Sequence, residues 1–78
     1  MINGRQCRAA RAWLRMDIGE LATIAHRGRA SIVRFEAEKC VLRADALIAL
    51  RAEFERRGIV FKFAEDGRPT GIEEVSPP

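Results

Sequence analysis

Tyrosine is absent from this 78-residue chain, histidine and tryptophan occur once each, and cysteine occurs twice. Each scarcity removes a class of function. One histidine, no tyrosine, no Ser-His-Asp arrangement and no glycine-rich phosphate loop leave no catalytic constellation to assemble. The chain is therefore expected not to be an enzyme, to need no cofactor and to hold no metal. Cys7 and Cys40 are too few for a disulfide framework and lack metal-ligand spacing, so both read as small apolar residues in a reducing compartment. No apolar run approaches the roughly 18–20 residues that cross a bilayer, and the N-terminus has no apolar signal core. A soluble, cytoplasmic protein with no membrane partner is expected.

What is present is charge, unevenly spread. Hydrophobic residues make up 47% of the chain and charged residues 32%, a balance that folds rather than stays disordered, as one domain over residues 1–78. The net charge is only +3. The distribution says more: Arg5, Arg8, Arg11, Arg15, Arg27, Arg29, Arg34, Lys39 and Arg43 all precede residue 44, whereas six of the eleven acids lie within residues 53–74. A basic N-terminal face opposed to a neutral or acidic C-terminal end points to a polyanionic partner.

Hydrophobic periodicity divides the chain into four helices and a hairpin, a mainly α fold. The first helix is expected over 4–15, with Asn3 as N-cap, Gln6 as its capping-box partner, and Cys7, Ala10 and Leu14 as its buried stripe. The second spans 18–25, opened by Asp17 with Glu20 at box spacing and facing inward through Leu21, Ala22 and Ala25; Gly19 weakens its first turn. His26-Arg27-Gly28 is a turn. The third helix spans 29–37 with Ile32 and Phe35 inward, and the fourth spans 45–57 with Leu47, Leu50 and Phe54 inward and Gly58 just past its end. Ile59, Phe61 and Phe63 then alternate, residues 65–69 carry a turn signal, and a return strand closes a hairpin over about 59–75. Residues 76–78 are expected to fray.

Two short helices joined by a tight turn, the second with basic residues opposite its apolar face, make a helix-turn-helix whose second helix fits a DNA major groove. Arg29 and Arg34 suit bidentate contact with guanine, with a solvated face or a nonspecific phosphate contact as the other reading of both; Ala30 and Val33 suit a thymine methyl, and Ser31 either donor or acceptor duty. Arg27, Lys39 and Arg43 flank this helix and suit phosphate contacts. A lone hairpin leaves an unpaired edge, so Ile59, Phe61 and Phe63 are the expected dimer interface, setting two reading helices about 34 Å apart; packing of the hairpin back onto the first and fourth helices is the other reading. Trp13 has two readings, a cover over the hairpin or last helix and a partner surface.

These segments resemble the Cro-like, XRE-type helix-turn-helix regulators, in particular the short bacterial form with a β-hairpin after the last helix. The resemblance spans about residues 5–75: QCRAARAWLRM matches the first helix, ELATIA the second, RASIVRFE the recognition helix and LIALRAEFERRGIVF the last helix and strand. It implies a homodimeric, DNA-binding transcriptional regulator acting on a two-half-site operator. It also implies an ion pair between Arg11 and Glu36; a phosphate contact is the other reading of Arg11. The chain departs from the pattern at Ile18, where the family places glutamine, and at His26, where it places glycine, with Arg27 and Gly28 following. The positive-φ residue of the turn is accordingly expected to shift to Gly28. A protein-interaction module that keeps the fold, such as an antitoxin or anti-activator, is the second functional class, with Ile18, Ile24 and Arg27 as its surface.

Overall fold

The computed structural model describes residues 1–74; the expected end of the return strand at Val75 and the expected frayed tail lie outside the described residues. Four helices come first: α1 (Gly4–Trp13), α2 (Ile18–Ala25), α3 (Arg29–Glu36) and α4 (Ala44–Arg56). An antiparallel hairpin of β1 (Ile59–Phe63) and β2 (Pro69–Glu74) follows. Asn3 and Gln6 form the full capping box at the start of α1. Asp17 accepts from the Glu20 amide, but Glu20 does not return the bond, because its carboxylate is drawn to Arg57, the residue that caps the end of α4. The core runs through the middle of every helix: Cys7, Ala10, Leu21, Ile32, Leu50 and Phe54 are fully enclosed, and the hairpin adds Ile59 and Phe61.

The helix ends explain the small boundary differences. α1 stops at Trp13 rather than 15, because Arg15 adopts a left-handed conformation (φ 56°) and the Met16 amide turns back to the Arg11 carbonyl at 3.0 Å. α3 stops at Glu36 rather than 37, with Glu38 left-handed (φ 60°) and Lys39 bonded back to the Arg34 carbonyl at 2.9 Å. The last helix is displaced by one residue, to 44–56, and Gly58 (φ 94°) follows it as expected. In the α2–α3 turn the expected shift to Gly28 does not occur. His26 itself is left-handed (φ 54°, ψ 45°), and the Arg27 amide bonds the Ala22 carbonyl at 3.0 Å. Gly28 keeps an extended backbone as the N-cap of α3. The six-residue closure of the helix end dictates where the left-handed residue falls, whatever side chain stands there.

Two glycines or near-glycine sites have opposite leeway. Gly4 is buried where α1 crosses the end of α3: a Cβ built there would lie 1.9 Å from the Phe35 carbonyl oxygen and 3.0 Å from the Glu36 Cα. Backbone cannot yield as a side chain can. Gly4→Ala is expected to cost about 1–3 kcal/mol through overpacking. His26→Gly is expected to add about 0.5–1 kcal/mol, since relief of the left-handed Cβ clash exceeds the added chain entropy. Urea unfolding followed by circular dichroism measures both; equal stability for all three chains would contradict the close approach and the turn geometry alike.

Candidate nucleic-acid interface

α3 is a weak helix by composition. Its eight residues include the β-branched Ile32 and Val33, and its cap, Gly28, offers no side chain to the first-turn amides, so the Gly28 carbonyl receives the Ser31 and Ile32 amides alone. Packing compensates. Ile32, Phe35 and Glu36 are buried against α1 and α2. With the back of the helix fixed, Arg29, Ala30, Val33 and Arg34 face outward, and Val33 leaves 52% of its surface in water. Ser31 is half-buried, with its carbonyl turned to the Cys40 thiol.

Behind α3, the Arg11 guanidinium grips Glu36 through two nitrogens, with Nε 2.9 Å from one oxygen and Nη2 3.0 Å from the other. Nη1 of Arg11 reaches the Met16 carbonyl at 3.2 Å, so this arginine is committed to the protein rather than to a phosphate. The Cys7 thiol lies 3.5 Å from the same carboxylate. Burial, and then the Glu36 charge, push that thiol far above its ordinary range, which keeps it protonated and donating.

Around α3 the expected phosphate residues divide. Arg27 is tied down: its guanidinium bonds Asp45 at 2.9 Å and the carbonyls of Ala25 and His26, stapling the turn to the start of α4. This hydrogen bond from Arg27 holds the Asp45 carboxyl below its usual value. Lys39 and Arg43 are exposed and, with Arg29 and Arg34, form no ion pair among the described residues. Residues 39–43 alternate in exposure, with Leu42 buried as the anchor and Lys39, Val41 and Arg43 outward. Arg27, Ser31, Arg34, Val41 and Arg43 line one shallow groove with Asp45 at its rim. Arg29 lines a second groove between α2 and α3, its guanidinium bent back over Gly19.

The expected dimer stripe is placed differently. Ile59 and Phe61 are 1% and 5% exposed within one protomer, and Phe61 meets Phe54 edge to face at 5.8 Å. Phe63 is half-buried beneath the Arg51 guanidinium, 5.1 Å from its ring centre. The alternation read from the sequence is correct, but its apolar face fills the gap above α4 instead of facing out. Trp13 is not a core cover: it is 60% exposed, and its indole N–H donates to Glu74.

Two interactions and two core residues went unseen in the sequence. The buried Gln6 amide donates to the carbonyls of Lys62 and Gly71, each at 2.9 Å, and so clamps the hairpin onto α1. Arg57 bridges Glu20 of α2 and Glu53 of α4 at 2.9 and 2.8 Å. Ile2, just outside α1, and Met16, just after it, are core residues. Capping-box spacing gave Gln6 its local role; no local signal pointed to a partner 56 residues away.

Removing Arg11 while leaving Glu36 would strand a buried charge. Arg11→Ala is expected to destabilise by about 3 kcal/mol in denaturant unfolding, and an unchanged midpoint would show the pair to be dispensable. The acid side has its own signature. Hydrogen bonds from Arg56 and Arg57 hold Glu53 down at about 2. A depressed carboxylate contributes stability above its unfolded pKa and loses it as pH falls through the folded value. That part of the stability is expected to fade between about pH 4.5 and 2, with carboxyl carbon shifts of Glu53 reporting the titration; a midpoint in the ordinary glutamate range would contradict it. No family model matches this chain, and no curated protein matches it either.

Proposed function

We propose that this chain is a sequence-specific, DNA-binding transcriptional regulator of the Cro-like helix-turn-helix type, working in the cytoplasm as a homodimer on a two-half-site operator. One observation carries the reading. The cations on α3 and the segment after it, Arg29, Arg34, Lys39 and Arg43, have no acidic partner among the described residues, whereas Arg51, Arg56, Arg57 and Lys62 on α4, its C-cap and β1 are paired and only Arg68 in the hairpin turn is not. Unpaired guanidinium groups beside an exposed apolar valine suit a surface that meets phosphates and thymine methyls together. α3 enters the major groove, Arg34 reads guanine, and Ala30 and Val33 contact thymine. Lys39 and Arg43 neutralise phosphates on one flank, and Arg5, Arg8 and Arg15, which form no ion pair among the described residues, add to the basic field.

A second copy meets this one through something other than Ile59 and Phe61, which are spent on the core. The open edges of the two-stranded hairpin and the exposed Val60 beside them support pairing there. No helix among the described residues is long and apolar enough to cross a membrane. A protein-interaction module is the second reading, favoured by Val41 at 89% exposure and by the exposed Trp13 and Ile48.

Arg34→Ala is expected to weaken binding to the preferred duplex by about 1–3 kcal/mol and to relax preference at one base pair. Lys39→Ala is expected to weaken all duplexes alike. Mobility shifts over a salt series should give a log–log slope near −0.9 per phosphate neutralised. A flat salt response, with Arg34→Ala silent, would favour the protein partner instead.

A further inference from the structure

Arg29 is the first residue of α3, the position from which a side chain is best placed to reach a base edge. Its side chain does not take that course. A Cβ built on Gly19 would lie 2.7 Å from Nη2 of Arg29, 3.1 Å from Nε and 3.2 Å from Cζ. The guanidinium thus occupies the space that any other residue at position 19 would fill. It lies across the first turn of α2, in the groove shared with Thr23 and His26. It is exposed and forms no ion pair or hydrogen bond to another described residue. No bond fixes the guanidinium there; the missing side chain at Gly19 supplies the room in which this unpartnered charge rests.

In a helix-turn-helix the first helix of the pair crosses the sugar-phosphate backbone while the second enters the groove. A guanidinium laid on α2 therefore falls on the backbone side. We propose that Gly19 and Arg29 form a phosphodiester clamp, in which Gly19 is the positioning residue that seats Arg29 against the backbone and withholds it from base reading. This deepens the DNA-binding reading and rests on it. The division of labour is then clear: Arg34 and Val33 discriminate between bases, and Arg29 fixes how α3 sits in the groove. Glycine inside α2 lowers helix propensity, and the seat gives a reason for its presence.

The test is a double-mutant cycle on full-length protein, using a preferred duplex and a scrambled one across a salt series. Arg29→Ala is expected to lose the same fold of affinity on both duplexes and to make the log–log salt slope shallower by about 0.9, one phosphate fewer. Gly19→Ala is expected to show the same signature, and to add nothing in the Arg29→Ala background. In the free protein, Gly19→Ala should move the Arg29 Nε–Hε resonance, while circular dichroism shows an intact and more thermostable fold. Three results would overturn the clamp while the DNA reading stands: an Arg29→Ala chain that changes preference at one base pair with an unaltered slope, losses that add between the two sites, or an Arg29 resonance indifferent to Gly19→Ala. A wild-type chain that binds neither duplex at low salt overturns the DNA reading and the clamp together.

Discussion

Glu36 carries its carboxylate into the interior at the end of α3, where an unpaired charge would be strongly disfavoured, and α1 supplies what it needs. Arg11 meets both oxygens with its fork, and the Cys7 thiol sits beside them. One turn away, Gly4 lets the backbone of α1 touch the backbone of Phe35. Together these contacts set the rotation of α3 about its own axis. A small turn of that helix would pull Glu36 off the fork and drive it into Ile32 and Phe35's apolar surroundings. Because the back cannot rotate, Ala30, Val33 and Arg34 cannot leave the front.

The remaining polar contacts hold the frame on which α3 rests. Gln6 uses its amide to carry the hairpin, Arg57 joins α2 to α4, and Arg27 joins the turn to Asp45. No buried side-chain nitrogen or oxygen among the described residues lacks a partner. Further ion pairs occupy Arg51, Arg56 and Lys62 on α4 and β1, whereas Arg29 and Arg34 on α3 have no such pair among the described residues. The charge asymmetry seen in the sequence becomes sharper in three dimensions, because it is a difference in pairing as well as in number.

The helices were legible because their apolar positions recur at helical spacing and their entries carry Asn3 and Asp17. The hairpin was legible from the alternation after Gly58. What escaped depends on tertiary geometry. The alternation of Ile59, Phe61 and Phe63 names a buried face but not what buries it, and the core of the same protomer claimed it. Arg27 and Arg29 look alike in a sequence, yet one is bound to Asp45 and the other leans on α2, since the first depends on a distant acid and the second on a missing side chain. His26 took the left-handed position against its own preference, because the Ala22 carbonyl fixes where the closure falls.

Arg15, His26 and Glu38 all stand left-handed at helix exits, each at a local cost of about 1–2 kcal/mol that the rest of the chain must offset. α2 and α3 are eight residues long, well under the roughly 12–15 that an isolated helix needs in water. The helix-turn-helix is therefore no portable cassette. Grafted onto another scaffold or excised as a peptide, it would lose the support of α1 behind α3 and of α4 behind α2, which the turn and the contact between the two helices do not replace. In the proposed regulator, base preference is retuned through the outward side chains of α3, while the placement of that helix is inherited from the packing behind it.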